Sequence, residues 1–183
     1  MNSKSRTVPL CILVATGLAI FGCSHGLAPT QAPAVQTGFG GTIRFVSPWP
    51  HPPVDSVYDI RVVAFPDYPI PDILGDVETG RAKVYPSITA DTALPLFLDS
   101  LTYSYVLDSS STFQYVVVAM RDSSNLFSNS SWKVVGTYGY SHGVGEPKSV
   151  TIPANKFVTG INIDVDFQNV PPTPSITSSA ASK

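Results

Sequence analysis

The chain has 183 residues, of which 43% are hydrophobic and only 13% are charged, a composition typical of a globular protein. Eleven lysines and arginines stand against 13 aspartates and glutamates, which gives a net charge of −2. The basic residues form no run. The composition therefore argues against nucleic acid or an anionic lipid surface as a partner, because both require clustered Lys and Arg.

The N-terminus has the order of features found in a secretion signal. A short basic start precedes the apolar residues 8–20, and Cys23 closes the segment LAIFGC. This order resembles the signals of bacterial lipoproteins, which implies cleavage before Cys23 and attachment of fatty acyl chains, palmitate among them, to that cysteine. We predict a signal peptide over residues 1–22 and lipidation of Cys23.

Two alternatives concern the same segment. An uncleaved transmembrane helix over residues 8–21 would cover roughly 21 Å of a hydrocarbon core about 30 Å thick. An ordinary signal peptide, cut without lipid, has small residues available at 30–34. If Cys23 carries lipid, the mature chain has no thiol for a disulfide or a metal site, because Cys11 lies in the signal. Ser24 is not acidic, and resemblance to lipoprotein sorting rules then favours the outer membrane of the bacterial envelope.

Both ends of the mature chain are predicted to be flexible. Residues 23–38 are polar and contain proline, which is typical of a tether, and residues 170–183 form a Pro, Ser and Thr tail. The folded domain is then predicted over residues 39–169.

Within that domain, short segments with β-strand character follow one another in chain order. The clearest is 160–167, where Ile161, Ile163, Val165 and Phe167 alternate with polar residues. The apolar run 113–120 is predicted to be central and buried, either on both sides or along its length. The remaining predicted strands are Thr42–Val46, Tyr58–Phe65, Thr102–Leu107, Lys133–Tyr140 and Ser149–Ile152.

These segments predict an all-β fold, a single antiparallel β-sandwich of about seven strands. A closed barrel is the alternative architecture. The only helical candidate is Leu94–Leu101, which Pro95 would keep short.

The succession of strands between Phe113 and Phe167, with the opening strand at Gly41-Thr42-Ile43, carries a family resemblance. It is similar to the carboxypeptidase regulatory-like, transthyretin-like modules of secreted and surface proteins, which are immunoglobulin-like sandwiches. The chain departs from their pattern in the segment WPHPP at 49–53 and in the long insertion 66–100. The resemblance implies a non-catalytic module for adhesion, scaffolding or sugar contact, and it supplies no functional residue.

Aromatic residues in polar or proline-containing loops are the candidate ligand contacts: Trp49, Tyr68 and Trp132. A flat ring in a loop can stack on a sugar or fill a partner's pocket. The alternative is that Trp49 and Trp132 close the open ends of the core.

The search for catalytic and metal-binding patterns is mostly negative. His25, His51 and His142 lack the spaced ligands of a zinc site and are predicted to be surface residues. Asp164 and Asp166 share one strand face and are weak calcium candidates, with a solvated strand face as the alternative. No cofactor or metal is predicted.

The sequence thus predicts a membrane-anchored envelope lipoprotein, a non-enzymatic binding or structural module that contacts envelope proteins or polysaccharide. Two alternatives stay open: a small hydrolase that uses His142 or the two aspartates, and a subunit of a larger assembly, which a long apolar exposed edge strand would indicate.

Overall fold

Strands form most of the regular structure, and the longer ones coincide with stretches of alternating or β-branched residues. The computed structural model describes residues 35–51, 57–90, 92–126, 128–142 and 144–172. The strands are β1 Gly38–Phe45, β2 Asp59–Phe65, β3 Lys83–Tyr85, β4 Ser100–Val106, β5 Ser111–Phe113, β6 Tyr115–Arg121, β7 Trp132–Thr137, β8 Tyr140–Ser141, β9 Val144–Gly145, β10 Val150–Ile152, β11 Phe157–Val158 and β12 Ile163–Val165. One helix, α1, spans Ile73–Glu78, and a 3-10 turn spans Asn129–Ser131. The prediction of an all-β fold is confirmed.

One large curled sheet of eight strands organises the fold. Its order is β4, β1, β12, β7, β6, β2 and β3, and β11 pairs with the first residues of β1. Two small ladders, β5 with β10 and β8 with β9, complete the described strands.

The sheet is mixed, which corrects the prediction of a purely antiparallel one. Strand β1 runs antiparallel to β4 on one side but parallel to β11 and β12 on the other. Alternation within a strand fixes which side chains are buried, but it does not fix the direction of a partner 120 residues away.

The parallel ladder along β1 is interrupted between β11 and β12, and Gly41 explains where. A Cβ at Gly41 would lie 2.2 Å from the carbonyl oxygen of Ile161, so only glycine lets the two chains approach this closely. At the interruption the side chain of Asn162 replaces a backbone acceptor, because its Oδ1 accepts from the Thr42 amide at 3.0 Å. Of the predicted strand 160–167, only Ile163–Val165 forms a strand, β12. Ile161, Ile163 and Val165 are nevertheless buried, as predicted.

Strand β6 lies between two hydrophobic cores, as its continuous apolar sequence predicts. Val116, Val118 and Met120 face the inner core on the concave side of the sheet. Val117 and Ala119 face an outer core, which α1 and the segment after β2 cover. Residues 113–120 are not one strand, however, because the amide of Gln114 donates to Phe65 and divides β5 from β6.

The two ends of the large sheet approach each other. Tyr85 of β3 contacts the rings of Tyr103 and Tyr105 of β4 at 6.4 and 6.2 Å. In the described chain these two strands share no backbone pairing.

The helix prediction was wrong in position. Residues 94–101 contain no helix, since Phe97 has φ +60°, outside the right-handed helical region. The helix α1 lies in the insertion before it, where the Asp72 side chain accepts from the Gly75 amide and caps the first turn.

The predicted domain boundary falls close to the start of β1. Thr37, one residue before β1, already accepts a hydrogen bond from Leu107. The predicted signal peptide, Cys23, His25 and most of the tether lie outside the described residues, as do residues 173–183 of the tail.

Candidate binding site

Trp49 lies at the end of the inner core beyond β1. Its ring contacts Phe45 at 4.4 Å and Phe167 at 5.1 Å, and its indole N–H donates to the carbonyl of Leu98 at 2.9 Å. The side chain is partly buried against the inner core. Trp49 thus closes this end of the core and also joins β1, the end of β12 and the loop before β4.

Phe97 extends this group of rings to the surface. It lies 5.3 Å from Trp49 and is 58% exposed. Its φ of +60° is a conformation that costs a non-glycine residue roughly 1–2 kcal/mol. We call Phe45, Trp49, Phe97 and Phe167 the aromatic cluster. Leu98, whose carbonyl accepts from Trp49, is also exposed and adds to its apolar surface.

The aromatic cluster lies far from the point where the chain enters the fold. Strand β1 begins at Gly38 and runs eight residues to Phe45, which is about 25 Å at roughly 3.3 Å per residue. Because β12 is parallel to β1, Phe167 emerges at the same end. Gly38, where β1 begins, and the aromatic cluster are thus at opposite ends of this strand.

Sequence reasoning identified Trp49 but missed Phe97. Phe97 falls within the segment for which a helix was predicted, and no residue type in that segment signals a left-handed phenylalanine. The proline-rich surroundings of Trp49 were the usable signal.

The other two predicted aromatics lie elsewhere. Tyr68 is exposed, and its ring lies tilted at 4.8 Å from that of Tyr115, a residue of the outer core. Trp132 also packs on the outer core, and its indole N–H donates to Leu126 at 2.9 Å. No ring contact joins Trp49, Tyr68 and Trp132 in the described residues, so they form separate features.

Arg121 lies between the rings of Tyr58 and Trp132. Its guanidinium carbon is 5.7 Å from the first ring centre and 5.9 Å from the second. This arrangement stabilises the end of β6 through cation–π contacts.

Asp164 and Asp166 are engaged by protein groups rather than solvated. Asp164 Oδ1 accepts from Arg44 at 2.8 Å, and its Oδ2 accepts from the hydroxyl of Ser141 at 2.9 Å. Asp166 Oδ2 accepts from the side chain of Asn169 at 3.0 Å, and Oδ1 accepts from the Gln168 amide. These hydrogen bonds, led by that of Asn169, lower the pKa of Asp166 below its usual value.

Ser141 and His142 lie beside these aspartates without forming a catalytic relay. Ser141 donates to Asp164, whereas the Nδ1 of the exposed His142 is 3.9 Å from Asp166. A Ser-His-Asp mechanism requires the serine hydroxyl to donate to the histidine. The carboxylate oxygens that calcium would need are also occupied by these donors, and the described residues contain no group of three or more His, Cys, Asp or Glu placed to hold a metal ion.

His51 is exposed, as predicted for a surface histidine. Its neighbours at 52–56 lie outside the described residues.

Comparison of the chain with models of protein families, with curated proteins and with solved structures finds no match. Among the helices of the described residues, none has the length and apolar character needed to cross a bilayer.

Proposed function

We propose that this chain is an envelope lipoprotein of bacteria, anchored through Cys23, whose folded domain is a non-enzymatic binding or structural module. The order of basic, apolar and small residues before Cys23 supports the anchor. Several acyl chains on one cysteine hold a protein firmly, since each buried methylene contributes about 0.8 kcal/mol. Ser24 supports placement in the outer membrane.

We also propose that the domain is a sandwich of the carboxypeptidase regulatory-like, transthyretin-like kind. The support is the position of the ladder between β5 and β10. Phe113, Val150 and Ile152 of that ladder belong to the inner core together with side chains of the large sheet. Two sheets that share one core are the layered arrangement of such modules.

The observation that carries the binding function is Phe97. Phe97 presents a large ring that is 58% exposed, in a strained backbone conformation, beside Trp49, so more than half of the residue is accessible to a partner. Strain of this kind persists where the surrounding structure imposes it, often at ligand contacts. We infer that the aromatic cluster, with Phe97 as its most exposed ring, contacts the partner.

The chemistry of the cluster defines the class of partner. Aromatic rings stack on the apolar faces of sugars and fill apolar pockets of proteins, so an envelope polysaccharide or an envelope protein fits. Gly38 and Phe45 lie about 25 Å apart along β1, so the cluster is at the end of this strand that is remote from its first residue.

A photo-crosslinking amino acid placed at position 97 of the full chain, in the cells that make it, tests this function. Val144 is 76% exposed and provides a matched site outside the cluster. We expect one discrete adduct from position 97, none from position 144, and loss of the adduct in a Cys23→Ala chain that is no longer anchored. Equal labelling at both sites, or none at position 97, would contradict the proposal.

A further inference from the structure

Strand β4 has a free edge. It pairs with β1 along its whole length, from Ser100 opposite Arg44 to Val106 opposite Gly38, and no described strand pairs with its other side. The amide of Phe45 donates to Asp99 and the amide of Leu107 donates to Thr37. Odd-numbered residues of β4 therefore bond to β1, and the even-numbered residues direct their backbone N–H and C=O groups away from it.

The residues that carry these outward groups are accessible. All four are exposed and have small side chains: Ser100, Thr102, Ser104 and Val106. The strand reads SLTYSYV and contains no charge and no proline, the residues with which proteins usually protect an edge. Strand β3 makes no backbone pairing with this edge: its Tyr85 contacts the rings of Tyr103 and Tyr105, and Lys83, Val84 and Tyr105 line a groove of about 170 Å³.

The edge is complementary to itself. If two copies of β4 meet antiparallel with Tyr103 at the centre, Thr102 of one copy lies opposite Ser104 of the other, and Ser100 lies opposite Val106. Outward-directed residues then face outward-directed residues, so each of these pairs exchanges two backbone hydrogen bonds. No like charges meet, because the strand carries none.

We propose that the free edge of β4 is an interface between two copies of this chain, related by a two-fold axis through Tyr103, which joins their large sheets. A different protein would gain little selectivity from an edge with small uncharged side chains, whereas the second copy has the matching register. The inference does not depend on the lipid anchor, although confinement to a membrane would raise the local concentration of the chain.

Sedimentation of the purified full-length chain over a range of concentrations tests the interface, with two matched double variants. Thr102→Lys with Ser104→Lys places lysine opposite lysine in the proposed register, which disfavours pairing. Thr102→Lys with Ser104→Glu places lysine opposite glutamate at the same two positions. Both sites are exposed, so the fold of each variant is expected to persist, which circular dichroism checks.

We expect the native chain to dimerise, the double-lysine variant to raise the dissociation constant at least about tenfold, and the lysine–glutamate variant to restore dimerisation. Hydrogen exchange should slow at the Thr102 and Ser104 amides as the dimer forms. A native chain that stays monomeric at its highest soluble concentration would overturn the proposal. So would a dimer that both variants leave unchanged, or one that both variants abolish.

Discussion

Asp59 accepts a hydrogen bond of 2.8 Å from Nε of Arg61, two residues further along β2, and both side chains are almost completely buried. One terminal nitrogen of Arg61 also donates to the carbonyls of Pro86 and Ser87. This ion pair therefore fastens the segment after β3 to the outer face of the sheet. Removal of one partner from such a pair leaves a buried charge without compensation.

Arg61→Met is expected to lower the free energy of unfolding by about 3–5 kcal/mol, because the buried Asp59 carboxylate loses its counterion. Chemical denaturation measures the change. The double variant Asp59→Asn with Arg61→Met leaves no buried charge. Its decrease in the free energy of unfolding should therefore be smaller than the sum of the decreases in the two single variants. Strictly additive losses would show that the two side chains are not coupled.

Phe97→Asn is expected to stabilise the fold by about 0.5–1 kcal/mol, since asparagine tolerates a φ of +60° better than phenylalanine. The exposed ring contributes little burial to offset this gain. The matched variant Leu98→Asn changes a neighbour without positive φ and should destabilise the fold. Thermal unfolding compares the two. If Phe97→Asn destabilises as much as Leu98→Asn, packing of the ring outweighs the strain.

Asp166 is expected to make the stability of the fold depend on pH in the acidic range. Its folded-state pKa is lowered, chiefly by the Asn169 hydrogen bond. The carboxylate of Asp166 therefore contributes fully to the free energy of unfolding above the ordinary carboxyl pKa of about 3.9. The contribution is lost as the pH falls through the lower folded-state pKa. The difference in unfolding free energy between the native chain and Asp166→Asn should therefore shrink below about pH 4. The exposed Glu78, changed to Gln, controls for the loss of one acidic residue. A difference that stays constant through this range would contradict the assignment.

Burial raises the pKa of several of the eight tyrosines, most strongly that of Tyr103 and Tyr115, so these two should ionise last in alkaline solution. Burial raises the pKa of Tyr115 to about 12 and raises the pKa of Tyr103 further. The stabilising contribution of these neutral phenols is full below pH 10, the ordinary value, and is lost as the pH rises through the folded-state values. Phenolate absorbance during titration measures this, and Tyr115→Phe should remove one late-ionising group. If all tyrosines of the folded chain ionise together near pH 10, the prediction fails.

The strands were predictable where burial alternates along the sequence. Tyr58–Phe65 contains β2, and the run 113–120 includes all of β6 except Arg121, because β-branched and aromatic residues suit a buried sheet. The helix α1 could have been recognised from Asp72 as a cap and Gly80 after the last turn, but it lies in a stretch rich in proline.

Long-range relationships could not be predicted. Nothing in the local sequence of β1 indicates a parallel partner at Ile163–Val165, and nothing near Phe97 indicates contact with Trp49. The sequence identified the tryptophan of the aromatic cluster because proline neighbours mark a loop. It could not identify the phenylalanine, whose significance depends on a backbone angle that tertiary packing imposes.

We propose that a lipid anchor holds this domain at a membrane, and the mass of the mature N-terminus tests that anchor. We expect the protein isolated from its own cells to begin at Cys23 and to carry a diacylglycerol group on that sulfur, with further acylation of the amino group. A free thiol at Cys23, or a chain that retains residues 1–22, would contradict it.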